Sequence, residues 1–223
     1  MKQTEEPYVS ALRFRWLTTL YDPLLALTTR EQTFRGELLR LVDARPESRV
    51  LDLACGTGTL AVWAKRLQPR AEVLGIDGDP RVLSIARRKA MAAGVVIEFR
   101  EALSYALPFP DESLDGVVSS LFFHHLLADQ KRRTLKEVHR VLRPGGMLHV
   151  ADWGQPSGRL MRLLFYSVQI LDGFANTRDH VAGRLPDFFR EAGLQEVALV
   201  KELSTIYGTL ALYSARKAPG KAW

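Results

Sequence analysis

Cysteine is nearly missing from this chain. Cys55 is the single one among 223 residues, so no disulfide forms within it and a reducing compartment is expected. No apolar run is long enough to cross a bilayer. The first seven residues, Met-Lys-Gln-Thr-Glu-Glu-Pro, show neither an apolar core nor a cleavage site. No secretory signal is therefore expected, and the chain reads as cytoplasmic. Internal repeats and low-complexity tracts are absent too. Acidic excess is lacking: 31 Lys and Arg against 25 Asp and Glu leave a net charge of +6. That balance suggests nucleic acid or an anionic surface, but the basic residues are spread along the chain. The densest run, Lys131-Arg-Arg133 with Lys136, Arg140 and Arg143, falls at helical spacing and reads as a solvated helix face. No strong nucleic-acid partner is expected, and peripheral membrane contact stays open.

What is present is an apolar fraction of 47%, enough for a well-buried core, at a length that suits one domain with a short accessory region. Residues 8–45 are helical in pattern, with Leu12, Trp16, Leu20, Leu24 and Leu27 near helical spacing and Pro23 starting or bending a segment. Strands and helices then alternate. Strands are expected at Arg49–Leu53, Glu72–Ile76, Val95–Arg100, Leu114–Ser119 and Met147–Asp152. Helices are expected at Thr59–Leu67, Pro80–Ala93 and Gln130–Leu142. Later helices fall at Arg159–Leu171 and Asp179–Ala192, and a strand-like ending is clearest at Thr209–Ala215. This alternation predicts an α/β fold, a doubly wound and mostly parallel sheet with helices on both faces. An amino-terminal helical cap, residues 1–45, precedes the main domain, residues 46–223. A lid-like helical insertion occupies residues 153–192.

The chemistry concentrates in Val50-Leu-Asp-Leu-Ala-Cys-Gly-Thr-Gly58, followed by Gly75-Ile-Asp-Gly-Asp-Pro80. The first reads as a buried strand breaking into a glycine turn, the second as the next strand ending in an acid. Gly56 and Gly58 let the backbone approach a ligand without Cβ interference. Asp77 is placed to accept hydrogen bonds from ribose hydroxyls. Gly56-x-Gly58-x-x-Ala61 satisfies the loose dinucleotide fingerprint, which opens a nicotinamide-dependent oxidoreductase as one reading. Asp52, inside the strand just before the turn, would repel a pyrophosphate but suits an ammonium. A cationic or zwitterionic ligand therefore fits better.

Asp52-Leu-Ala-Cys-Gly-Thr-Gly58 resembles motif I of the class I S-adenosylmethionine-dependent methyltransferases. Further segments are similar to that family: Leu107-Pro-Phe-Pro-Asp-Glu-Ser-Leu-Asp115 before the fourth strand, Val117-Val-Ser-Ser-Leu-Phe-Phe-His-His-Leu126 along and after it, and Val141-Leu-Arg-Pro-Gly-Gly146 before the fifth. Tyr21-Asp22 resembles the cap pair of the ubiquinone/menaquinone-type branch. The resemblance implies a seven-stranded sheet with one antiparallel strand near the carboxyl end, and S-adenosyl-L-methionine as cofactor. It implies that Asp52, Ala54, Gly56 and Gly58 surround the methionine moiety and that Tyr21 helps close the site. Asp77 would bind the ribose, Gly78 the adenosine flank, and Glu101 and Ala102 the adenine. Glu101 and Leu103 are alternative adenine neighbours, because the spacing to Leu107 is one residue longer than in family members. Ser119 would meet the cofactor at the end of strand four.

Methyl transfer needs alignment and exclusion of water, with a general base where the acceptor must lose a proton. His124 and His125, after strand four, and Asp152, ending strand five, are the catalytic candidates. His180 and Tyr166 rank lower, and no metal site is expected. The Asn-Pro-Pro-Tyr motif of nucleobase amine methylation is absent, its place taken by Ser119-Ser-Leu-Phe-Phe123. The segment Leu160–Leu171 is apolar around most of its circumference. It reads either as a wall of a hydrophobic acceptor pocket, with Phe122 and Phe123, or as a buried core helix. The expected activity is methylation of a small, apolar acceptor at carbon, oxygen or nitrogen. The alternative is a non-catalytic cofactor-binding module that docks RNA or membrane through a basic surface.

Overall fold

Strand β1, Arg49–Leu53, is buried along nearly its whole length, as a parallel strand covered on both faces must be. The computed structural model describes residues 31–42 and 45–220, so Tyr21, Asp22 and the apolar pattern around Leu12 to Leu27 lie outside the described residues. Helix α1, Glu31–Leu41, precedes β1, and α2, Thr59–Leu67, follows it. The chain continues through β2 (Glu72–Asp77), α3 (Pro80–Ala92), β3 (Glu98–Glu101) and β4 (Leu114–Ser120). A 3₁₀ turn at Phe123–His125 leads into α4 (Ala128–Val141) and β5 (Leu142–Trp153). Four short helices follow: α5 (Arg159–Leu164), α6 (Tyr166–Asp172), α7 (Phe174–Val181) and α8 (Leu185–Glu191). Strands β6 (Leu194–Thr205) and β7 (Gly208–Lys217) close the described chain.

The seven strands lie in the order β3-β2-β1-β4-β5-β7-β6, with β7 antiparallel to both neighbours and the rest parallel. The sheet winds outward in both directions from the β1/β4 boundary, and the crevice at the carboxyl ends of these strands is where such sheets take ligands. Two-residue alternation sorts the core. Val50, Val73 and Val118 pack into one apolar cluster with α1, α2 and α3, while Leu51, Leu74 and Val117 join the other with α4 and α8.

Several elements depart from their sequence boundaries for identifiable reasons. Val95, expected in a strand, instead donates its amide to Ala90 O at 3.1 Å and finishes α3, so β3 starts at Glu98. Arg143-Pro-Gly-Gly146, expected as a turn, lies within β5, where a register shift between Leu114 and Gly116 absorbs it. The segment expected as one helix over Asp179–Ala192 is broken by Gly183, at φ +68°, and restarts with Pro186 in the first turn of α8. Lys131, expected on a solvated face, is fully buried and gives hydrogen bonds to Asn176 O at 2.9 Å and Asp179 Oδ2 at 3.2 Å. It ties α4 to α7.

Gly58 is the tightest position in the first turn. Its φ is +75°, and a Cβ there would lie 2.8 Å from Ala86 Cβ and 3.1 Å from Phe99 Cζ. Gly58→Ala is expected to cost about 2–4 kcal/mol by adding left-handed strain to overpacking, read as a lowered midpoint in urea unfolding with an unchanged slope.

Candidate active site

The turn after β1 carries three left-handed residues in quick succession: Ala54 at φ 56°, Gly56 at 53° and Gly58 at 75°. Cys55 N–H donates to Ile76 O at 2.8 Å and Gly58 N–H to Cys55 O at 2.9 Å, which holds the turn against β2. Lys89 reaches over from α3, its Nζ 2.9 Å from Thr57 Oγ1 and 2.6 Å from Thr59 Oγ1. Asp77 braces the same turn. Its Oδ2 accepts from Gly56 N–H at 2.9 Å and its Oδ1 from Asp79 N–H at 2.9 Å. Burial raises its pKa, and the Asp79 and Gly56 amides oppose the rise.

Two features of this turn invite a ligand. A Cβ on Gly56 would meet nothing within 4 Å among the described residues, which leave the backbone open on that side. Within β1, just before the turn, Asp52 is 2% exposed and its Oδ2 has no hydrogen-bond partner among the described residues. Burial pushes the Asp52 carboxyl up to about 7, with Arg35 pulling the other way. An unpartnered buried oxygen is costly and calls for a donor. An ammonium entering over Gly56 would supply one, so these residues fit a ligand with an amino-acid end.

Glu101 and Ala102 stand beside Asp77, Glu101 in register with it and Ala102 N–H donating to Asp77 O at 3.1 Å. Gly78 is half-buried at the same edge. Ser119 is different. Its hydroxyl is fully buried and donates to Leu53 O at 3.0 Å, so it stitches β4 to β1 and is not offered to a ligand.

The second half of the site gathers at the ends of β4 and β5. Asp152 is fully buried and acts as a hub. Its Oδ2 accepts from Phe122 N–H at 3.1 Å and Phe123 N–H at 2.7 Å, and its Oδ1 from Trp153 N–H and His124 Nδ1, both at 2.7 Å. Burial alone would raise its pKa, but His124 and His180 outweigh it and hold the carboxyl well below the usual range. Burial works to lower the pKa of His124, and Asp152 more than offsets it, so the net shift is upward. His125 is pushed the other way by burial and by its charged neighbour His124. The two rings lie 3.9 Å apart between centroids.

Two residues with no strong sequence signal complete this cluster. Asp172, ending α6, puts Oδ2 3.6 Å from His124 Nε2 and Oδ1 3.6 Å from His125 Nδ1. His180, on α7, donates from Nδ1 to Trp153 O at 2.7 Å, and burial lowers its pKa to about 4. No spacing rule links Asp172 to a histidine pair so distant in sequence, so only the folded lid reveals it. Tyr166 stays outside the cluster, exposed and under the Arg162 guanidinium at 4.1 Å.

The lid resolves the reading of Leu160–Leu171. Phe165 and Val168 are buried, whereas Leu160, Leu163, Ile170, Leu171 and Phe174 are each more than half exposed. It is not a core helix. A separate cleft of about 460 Å³ lies between the loop after β5 and helices α5, α6 and α7, lined by Gln155, Pro156, Gly158, Arg159, Arg162, Leu163, Tyr166 and Val181, and none of Asp52, His124, His125 or Asp152 lines it. That volume suits a small organic ligand. Among the described residues no helix is long and apolar enough to cross a membrane.

Comparison with known proteins bears on the family and the fold. Residues 50–146 match a family model described as a methyltransferase domain. The chain is 42% identical over 161 residues to demethylmenaquinone methyltransferase of Thermus thermophilus, covering 70% of this chain and 72% of that protein. It is 36% identical over 133 residues to the ubiquinone/menaquinone biosynthesis C-methyltransferase of Shewanella sp. (strain ANA-3), covering 57% of this chain and 52% of that one. Among solved structures, a SAM-dependent methyltransferase from Methanosarcina mazei superposes with a TM-score of 0.65 at 22% identity, covering 79% of this chain and 95% of that one. The [4+2]-cyclase SpnF superposes with a TM-score of 0.68 at 20% identity, covering 84% and 82%. These two share the fold.

Proposed function

Since the chain belongs to the class I S-adenosylmethionine-dependent methyltransferases, in their ubiquinone/menaquinone branch, we propose that it methylates a quinone-type ring on an apolar molecule. The observation that carries the cofactor half is the unpartnered buried oxygen of Asp52, in β1 just before the turn that Gly56 leaves open. The acceptor half is supported by the quinones for which the relatives are named and by the exposed apolar side chains of α5 and α6. S-adenosylmethionine supplies an electrophilic methyl group on a sulfonium.

The chain's own residues take the following roles. Asp52, Ala54, Gly56 and Gly58 hold the methionine end, Asp52 by its charge and the others by backbone. Asp77 and Gly78 hold the ribose, and Glu101 and Ala102 border the adenine. Ser119 contributes only through the strand it stitches. His124 and His125 face the acceptor, and Asp152 positions His124. The lid of residues 153–192 covers the acceptor and excludes water, which raises effective concentration and protects the reaction. We assign the chain to the cytoplasm, in keeping with its single buried cysteine.

Calorimetric titration with S-adenosylhomocysteine, with NADH as control, tests the cofactor assignment. Binding of the first alone is expected. Asp77→Ala is expected to weaken that binding about 10–100-fold, the worth of hydrogen bonds to a charged group, while stability falls by about 1–2 kcal/mol as the Gly56 amide loses its acceptor. Unchanged affinity in the folded variant would count against the site. Methyl transfer from labelled cofactor to demethylated quinones, compared with nonprenylated phenols, tests the acceptor class.

A further inference from the structure

His124, His125 and Asp172 meet in a way that hydrogen bonding does not account for. Asp152 Oδ1 pairs with His124 Nδ1 at 2.7 Å, which turns Nε2 toward Asp172 as the nitrogen that a metal ion would take in place of a proton. That nitrogen lies 3.6 Å from Asp172 Oδ2, and His125 Nδ1 lies 3.6 Å from Asp172 Oδ1. The carboxylate thus gives one oxygen to each imidazole, yet both pairs stay open beyond hydrogen-bond length, normally about 2.7–3.2 Å. The neighbouring Asp152–His124 contact is fully closed.

We propose that His124, His125 and Asp172 form a mononuclear site for a divalent transition-metal ion, with one open position for an oxygen of the acceptor. All three donor atoms lie within 4.8 Å of one another. Donors bound at about 2.0–2.2 Å around a tetrahedral ion stand roughly 3.3–3.6 Å apart; each histidine meets one Asp172 oxygen at 3.6 Å, and a set with one donor atom per residue, now within 4.8 Å, closes on an ion by a small side-chain adjustment. Two imidazoles and one carboxylate with the fourth position open is a donor set that catalytic zinc uses. The supporting shell is also present. Asp152 fixes the His124 tautomer and ring as a carboxylate behind a metal-bound histidine does, and the Phe122, Phe123 and Trp153 amides hold Asp152 in turn. The His124 side chain is 4% exposed, while those of His125 and Asp172 are 14% and 20% exposed, so the site opens on one side only.

The proposal rests on the methyl-transfer reading and deepens it. An acceptor hydroxyl bound at the open position gives up its proton to water more readily, and the resulting ring oxyanion makes the ring a better nucleophile toward a methyl group. The ion also links β4 to the lid, because Asp172 ends α6 just before Gly173, at φ +96°.

The test is calorimetric titration of chelator-stripped full chain with Zn²⁺, and with Co²⁺ followed by visible absorption. One ion per chain, with the d–d bands of four-coordinate Co²⁺, is expected. Asp172→Ala and His125→Ala should weaken binding at least about 100-fold, and Asp152→Asn about 10–100-fold. His139→Ala, beside Gly193 and outside the cluster, should change nothing. S-adenosylhomocysteine titration of Asp172→Ala and His125→Ala should match the parent chain and reports that the fold is intact. Zn²⁺ binding that is absent, or insensitive to Asp172→Ala, overturns the metal site. If S-adenosylhomocysteine still binds in that case, the methyl-transfer reading stands, whereas failure of a folded chain to bind either ligand removes both.

Discussion

An Asp52→Asn chain is expected to be more stable than the parent at pH 8 and about 10–100-fold weaker in binding S-adenosylhomocysteine. Both effects come from one oxygen. In the folded protein burial holds the Asp52 carboxyl near 7, against 3.8 in the unfolded chain. The folded state therefore keeps a proton that the unfolded state has released, and stability falls as pH rises from about 4 to 7. Above that range the full cost is present, on the order of 4 kcal/mol by the size of the shift. The amide removes the cost, so the gain of the variant should be largest at pH 8 and vanish below pH 4, read from urea unfolding at three pH values. Binding carries the same linkage in reverse. A cationic ligand favours the ionised carboxylate, so parent affinity should climb between pH 6 and 7, by up to about tenfold per unit. The asparagine chain should lack that climb. A parallel pH profile in both chains would show that Asp52 does not meet the ligand's charge. The site thus trades stability for recognition.

Asp152→Ala should be the most damaging single change, costing about 3–5 kcal/mol. It removes the acceptor of the Phe122, Phe123 and Trp153 amides and leaves His124 buried without its carboxylate. The loss should be greater at pH 5.5 than at pH 8. In the parent, Asp152 raises the His124 pKa, so that stabilisation is complete below 6.5 and fades as pH climbs through the folded value. Without Asp152, burial favours the neutral ring, while the unfolded chain protonates it at pH 5.5. A double-mutant cycle with His124→Ala, run in chelator, separates the pair energy from the amide contacts. Additive effects would show that His124 and Asp152 are not coupled.

The pattern of the chain carried much of this. Continuous apolar runs marked β1 and β2, and the glycine turn with Asp52 and Asp77 was readable because backbone freedom and charge at a strand end have few other uses. The parallel sense of the first five strands followed from their alternation with helices. Other features depended on partners remote in sequence. Lys131 looked solvated because its neighbours are basic, and only the arrival of Asp179 from the lid explains its burial. Ser119 looked available to a cofactor, but its hydroxyl goes to Leu53 across the sheet. The lid breaks at Gly183 because the chain must turn there, and an apolar count over Asp179–Ala192 hides that turn. Leu160, Leu163 and Ile170 are exposed on a helix whose composition alone fits a core.

The margins of the sheet have a consequence of their own. At one side β3 is four residues long, and at the other β6 is bent by register shifts at Gln195/Ala198 and Leu199/Lys201. The second margin also carries charge, with Glu196 paired to Arg216 and Lys201 to Glu37. A stray strand, from a misfolded copy or an extended peptide, finds no straight ladder of free amides to continue on either side. Crowded copies of this chain therefore have little means of zipping together edge to edge, and the exposed apolar lid is left as the surface through which they would stick.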